Sequence, residues 1–221
     1  MINIKFSRHD LIFLNESGKE QARKTAQALH PTTPARFLQE MMEDNIPAIV
    51  TRQESLSVEF VQVGFSSYHF HEGGRAKFRA IVPRTGITEQ LSPFDVIGYI
   101  GRLSSRVVRD TLYALRSLAE EMNLDLGLYG SVALEIMTGL PYLHIDSDID
   151  ILVRPRDDVG LCPFYEAVNR FSLVRRIDIE ALCKDGAGVK LAELCTSQKT
   201  VLCKGLLFTE LRPITCPTLP L

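Results

Sequence analysis

With 221 residues, 45% hydrophobic and 24% charged, the chain is long enough for one large domain or two small ones and has an ordinary soluble, globular composition. A formal net charge of −2 excludes a generic nucleic-acid binder, which carries a clear basic excess, and the apolar runs are too short for a membrane-spanning helix. The opening MINIKFSRHD lacks the apolar core of a secretory signal, so a cytoplasmic protein is expected. Its five cysteines (Cys162, Cys183, Cys195, Cys203, Cys216) are odd in number and form no C-x-x-C pair, which predicts free thiols and no zinc site.

Along the chain, Lys19 to Ala28 is helix-like, and HPTTPARFLQEMMED restarts a helix after two prolines. IPAIVTRQ, SVEFVQVGF and RAKFRAIVP then read as strands, with HEGG (His71 to Gly74) as a hairpin turn. In the third strand Ala76, Phe78, Ala80 and Val82 face a core, leaving Arg75, Lys77 and Arg79 on the opposite face, either solvated or meeting an anion. The turn chemistry of Pro83 to Phe94 marks a connection, dividing the chain into 1–90 and 91–221. A long amphipathic helix follows, about Ser104 to Met122, with Val108, Leu112, Leu115, Ala119 and Met122 as its buried stripe. Arg102, Arg106, Arg109 and Arg116 lie on or near another face, as solvated charges or for an acidic partner. Beyond it strands (LDLGLY, Ile149 to Val153, LVRRIDIEAL) alternate with helices (Ser131 to Thr138, closed by Gly139, and CPFYEAVNRF), and TVLCKGLLF supplies late apolar material. The fold class expected is α+β: a small strand-rich N-terminal part and a mixed C-terminal sheet backed by helices.

Gly130 stands where a strand gives way to a helix, and its missing Cβ allows a tight turn and a close ligand approach. Ser131 then brings a hydroxyl to the exposed N–H groups and positive dipole end of that helix, a seat for phosphate. Asp148 and Asp150, two apart in a strand, share one face roughly 6.5–7 Å apart and invite a hard divalent cation such as Mg²⁺. Asp146 has the same parity but lies beside the loop GLPYLH, as a bystander. RRIDIEAL offers a further carboxylate for a two-metal site, Asp178 with Glu180 as the alternative, provided this strand pairs beside that of Asp148 and Asp150. His144, four residues before Asp148, is a candidate for binding phosphate or orienting an aspartate, while His9 reads as structural.

The ordered set G-S, short helix, D-x-D, then D-x-E resembles the nucleotidyltransferase superfamily typified by DNA polymerase β. The intervening residues narrow it: Tyr129-Gly130-Ser131, Thr138-Gly139-Leu140-Pro141-Tyr142-Leu143 and Ser147-Asp148 with Asp150 look like the phosphoribosyl-dephospho-CoA transferases, or holo-acyl-carrier-protein synthases, of malonate decarboxylase. RHDLIFLN (Arg8 to Asn15) is similar to that family's opening, and VLCKG around Lys204 resembles a family V-L-x-K stretch. The chain departs from the family in having no tryptophan, Phe13 standing where one is expected, and in Thr51 replacing a basic residue beside Arg52.

The resemblance implies a donor, 2′-(5″-triphosphoribosyl)-3′-dephospho-CoA, and a serine of the malonate decarboxylase acyl carrier protein as acceptor. Attack on the phosphorus nearest the ribose would release pyrophosphate. Asp148, Asp150 and Asp178 would be catalytic and hold Mg²⁺, Gly130 and Ser131 would cradle phosphates, and Arg75, Lys77 or Arg79 would reach the triphosphate across a cleft. No nucleic acid or membrane partner is implied. Two rivals stay open: AMP transfer from ATP by another nucleotidyltransferase, and a non-catalytic scaffold.

Overall fold

A computed structural model describes residues 5–31, 38–40, 42, 44–71, 74–156, 160–171, 175–196, 199–216 and 219. Its strands fall into two sheets. The first comprises β1 (Leu11–Leu14), β2 (Ala48–Val50), β3 (Phe60–His71), β4 (Gly74–Pro83) and β5 (Ile87–Leu91), in the order β4-β3-β2-β1-β5 with every pair antiparallel. The alternation predicted for β4 is present: Phe78, Ala80 and Val82 are buried, Ala76 is partly so, and Lys77 and Arg79 are exposed. Two of the five strands are departures from expectation. β1 was not foreseen, and β5 lies in the stretch read as a connection; its polar ITEQL carries only a weak strand signal, yet it pairs with β1 at the sheet edge. Glu72 and Gly73 of the expected HEGG turn lie outside the described residues, but β3 and β4 pair as a hairpin with His71 opposite Gly74. Of the restarted helix, residues 38–40 are helical and 32–37, 41 and 43 lie outside the description. Helix α1 (Glu16–Leu29), capped by Asn15 accepting the Gly18 N–H at 2.9 Å, buries Gly18, Ala22 and Ala26 and packs on β4.

The second sheet has the order β11-β10-β9-β8-β7-β6: β6 (Leu124–Leu128), β7 (Ile149–Pro155), β8 (Ile177–Leu182), β9 (Gly188–Lys190), β10 (Thr200–Lys204) and β11 (Thr209–Pro213). β7 and β8 are its parallel pair, since a helical crossover returns the chain between them; the other neighbours pair antiparallel. The remaining helices are α2 (Pro93–Val96), α3 (Arg106–Glu121), α4 (Gly130–Thr138), α5 (Cys162–Arg170, the crossover) and α6 (Leu191–Thr196). Val108, Leu112, Leu115 and Ala119 form the buried stripe of α3. Its arginines find partners within the chain: Arg106 pairs with Asp110 at 3.4 Å, Arg116 with Glu120 at 2.9 Å and Arg109 donates to the Leu103 carbonyl, while Arg102, ahead of the helix, lies over the Tyr99 ring. The solvated reading of that row therefore suffices. Buried residues from both sheets join in one hydrophobic cluster. Among the described residues no helix is long and apolar enough to cross a membrane.

The cysteine expectation needs correction. Cys183, Cys203 and Cys216 take part in no disulfide, but Cys162 at the start of α5 and Cys195 in α6 form one. These helices pack against each other, a contact across 33 residues of sequence that cysteine spacing does not announce. A reducing cytosol would keep this pair as thiols.

The turn into β1 holds a buried carboxyl. Asp10, 2% exposed, accepts the Ser7 N–H and the Gln90 amide, each at 2.7 Å, while its Oδ1 has no partner among the described residues. Burial pushes this carboxyl up to about 6, against the opposing hydrogen bonds. A raised folded-state value means that stability is fully present below the unfolded value near 4 and is lost as pH rises through about 6, a difference on the order of 3 kcal/mol. Asp10→Asn keeps the accepting oxygen without the charge. It is expected to stabilise the protein by about 1–2 kcal/mol at pH 8 and hardly at pH 4, read from urea melts at both pH values.

Candidate active site

Parallel pairing sets Asp150 of β7 directly opposite Asp178 of β8, so the adjacency that the sequence left as a condition is present. Ile149, Ile151 and Val153 are buried and anchor β7 from its other face, while Asp148 immediately precedes the strand with the parity of Asp150. Burial, then the charges of Asp178, Asp148 and Glu180, push the Asp150 carboxyl up to about 7, with Lys190 opposing. Lys190 Nζ donates to Asp178 Oδ2 at 2.8 Å and so covers one carboxylate of the group. Asp146 is exposed on a turn, apart from the others. Among the described residues no three His, Cys, Asp or Glu side chains converge closely enough to hold a metal by themselves.

Gly130 opens α4 at φ +66°, and a Cβ there would overlap Asp150 Oδ2. Glycine is thus required twice, by the left-handed backbone and by the carboxylate lying against its Cα. The Tyr129 N–H donates to the Asp150 carbonyl at 3.2 Å, tying the turn to β7. Gly139, left-handed at φ +72°, ends the helix. The T-G-L-P-Y-L connection beyond it is held from two sides: buried Glu135 accepts the Leu143 N–H at 2.8 Å, and the fully buried Tyr142 donates its hydroxyl to the Ser66 carbonyl of β3 at 2.9 Å.

Of the three basic residues on β4, one reaches this site. Arg75 Nη1 donates to Ser131 Oγ at 2.7 Å and Nη2 to the Tyr142 carbonyl, with the guanidinium 5.3 Å from the Tyr142 ring centroid. Its Nε is buried and unpartnered among the described residues, and desolvation lowers its proton affinity. Lys77 and Arg79 point to solvent, Arg79 touching His30 through its backbone N–H. The register of β3 on β4 slips between Ser66 and Phe70, and such an irregularity re-aims side chains at a hairpin end. His144 is half-buried; its backbone N–H donates to Ser147 Oγ at 2.9 Å, and its carbonyl accepts from Arg175.

Glu180, 5% exposed, does not stand idle beside Asp178. His9 Nε2 donates to its Oε2 at 3.3 Å, Arg8 lies at 3.8 Å and Lys204 at 3.9 Å. Burial would raise this carboxyl, but the His9 hydrogen bond and the charges of Arg8 and Lys204 outweigh it and hold it below the usual range. Burial in turn depresses His9, whose ring lies 4.1 Å from that of Tyr129. Two cations, Arg8 and Lys204, and the His9 imidazole thus engage Glu180, leaving Asp178 as the carboxylate opposite Asp150. Sequence reasoning passed over this cluster as a unit. Its signals were the RHDL and VLCKG stretches, which stand 196 residues apart and meet where Arg8 donates to the Lys204 carbonyl at 2.7 Å.

A family model described as the phosphoribosyl-dephospho-CoA transferase MdcG C-terminal domain matches residues 99–213, just over half of the chain. The chain belongs to this family. Relatives named phosphoribosyl-dephospho-CoA transferase are similar to it. That of Xanthomonas campestris pv. campestris is 33% identical over 99 residues, covering 42% of this chain and 45% of the relative. That of Pseudomonas aeruginosa is 33% identical over 135 residues, 56% and 60% of the two chains. That of Xanthomonas axonopodis pv. citri is 26% identical over 200 residues, 89% of each. The chain thus spans about half the length of the first of these relatives. No solved structure matches it. The matched span of the transferase family model contains Gly130, Ser131 and all the clustered carboxylates, while Arg8, His9 and Arg75 precede it.

Proposed function

We propose that the chain transfers phosphoribosyl-dephospho-CoA from 2′-(5″-triphosphoribosyl)-3′-dephospho-CoA to a serine of the malonate decarboxylase acyl carrier protein, releasing pyrophosphate, on a nucleotidyltransferase-like C-terminal half. The observation that carries this reading is the packing of Gly130, the residue before the phosphate-seating Ser131, against Asp150, itself in register with Asp178. The donor set suits Mg²⁺, because carboxylate oxygens are hard ligands and the ion needs only one or two of them when substrate phosphates complete its shell. The crowding that raises the Asp150 carboxyl is what a cation would relieve. Asp148, Asp150 and Asp178 would hold it together with the donor's phosphates, since the three carboxylates do not converge on one point by themselves; when bound, magnesium supplies charge neutralisation and Lewis acidity to the phosphate oxygens.

The chain's own groups do the rest. Ser131 Oγ, the first N–H groups of α4 and the Arg75 guanidinium bind the outer phosphates and orient the donor. The carrier serine oxygen forms its bond to the phosphorus nearest the ribose as the bond to the next phosphate breaks. Pyrophosphate leaves with that electron pair, and the hydroxyl proton passes to Asp178.

The deciding assay mixes the protein, Mg²⁺ and apo carrier with either the triphosphoribosyl donor or ATP and follows carrier mass and pyrophosphate. Gain of the dephospho-CoA arm with the first donor only is expected; AMP transfer from ATP, or no transfer from either, would overturn the reading. In the same assay Arg75→Gln is expected to raise KM for the donor about tenfold, roughly 1.4 kcal/mol of binding. Lys77→Glu, on the solvent face, should leave KM unchanged.

A further inference from the structure

Among the described residues of the N-terminal half, two other than glycine adopt the left-handed conformation that ordinarily favours glycine: Asn45, at φ +52°, and His9. His9 adopts φ +72° in the Ser7–Asp10 turn, its N–H donating to the Val50 carbonyl of β2 at 3.1 Å. A side chain in the left-handed region is strained, so the imidazole must return something for its place. Its ring packs on the ring of Tyr129, 4.1 Å between centroids and 31° between planes, and its Nε2 reaches Glu180. Tyr129 is the last residue before Gly130 and caps the helix that carries Ser131.

We propose that His9 is a positioning residue of the transfer site: its ring braces Tyr129, and through Tyr129 the glycine–serine turn that seats the triphosphate. The N-terminal sheet thereby completes in cis a site whose carboxylates all lie in the C-terminal half. The brace acts on the seat rather than on the reacting atoms. Glu180, held also by Arg8 and Lys204, keeps the imidazole edge in place.

This inference rests on the proposed function, and the test separates the two. Binding of inorganic tripolyphosphate with Mg²⁺ is measured by calorimetry, and KM for the donor and kcat by carrier loading. The variants are His9→Gly and His9→Asn, which are at ease in the left-handed backbone but have no ring, and His9→Phe, which retains one. Both ringless variants are expected to melt within about 3 °C of the parent, since backbone strain is relieved as packing is lost. They should bind tripolyphosphate about tenfold more weakly and raise donor KM by the same factor with kcat little changed. His9→Phe should recover most of the affinity. A merely structural role gives the opposite split, with fewer active molecules lowering kcat at constant KM. Should His9→Gly fail to fold, His9→Asn carries the ringless arm. The inference is overturned if a folded ringless variant binds tripolyphosphate as the parent does, or if His9→Phe is as weak as the ringless variants. A parent protein that neither binds tripolyphosphate nor loads the carrier sinks the proposed function instead.

Discussion

Asp150→Asn is expected to abolish transfer and, in metal-free protein, to make the fold more stable. The carboxyl is pushed up to about 7 by burial and three neighbouring carboxylates. Raised in this way, it contributes stability that is fully present below pH 4 and lost as pH rises through about 7, up to about 4 kcal/mol. Asparagine has nearly the same shape and never ionises, so the gap between variant and parent should be near zero at pH 4 and about 2–4 kcal/mol in the variant's favour at pH 8. Denaturation in EDTA at the two pH values reads this directly, and transfer should fall by about 10³ or more once a charged ligand for the magnesium ion is gone. A variant less stable than the parent at pH 8 would show that the carboxylates are not crowded as described. Residual transfer near the parent's rate would remove Asp150 from the chemistry.

Gly130→Ala should be nearly as damaging to transfer, for a different reason. At φ +66° an alanine pays about 1–2 kcal/mol in backbone strain, and its methyl group would occupy the space of Asp150 Oδ2. The carboxylate must swing away, displacing the group opposite Asp178 and loosening the turn that presents Ser131. The expected result is a stability loss of about 1–3 kcal/mol with transfer down about 100-fold at temperatures where the variant is fully folded. Thermal melts and carrier loading on one preparation check both. An active, stable alanine variant would mean that the close approach of Gly130 to Asp150 has no bearing on catalysis.

Much of this site was readable from periodicity. Period two put Asp148 and Asp150 on one face and Ile149, Ile151 and Val153 on the other, and the stripe of α3 followed from helical spacing. Glycine at 130 and 139 marked a tight turn and a helix stop, as found. These features are local, set by side-chain direction and backbone sterics within a few residues.

Pairing and charge compensation lie beyond that range. Asp178 and Glu180 have equal parity and similar chemistry, and no pattern within β8 distinguishes them. The distinction comes from Arg8, His9 and Lys204, which arrive from both ends of the chain at Glu180. Arg75 shares its strand face with Lys77 and Arg79, yet reaches Ser131 where the slipped register of β3 and β4 ends the hairpin. The Cys162–Cys195 bridge likewise depends on two helices meeting. The amino-acid order alone settled which residues share a face and where the chain must turn, because steric rules act between near neighbours. Which carboxylate stands opposite Asp150 was settled by strand pairing within the second sheet, and which is neutralised and which arginine meets Ser131 by the packing of distant segments, because electrostatic partners are chosen by distance in space.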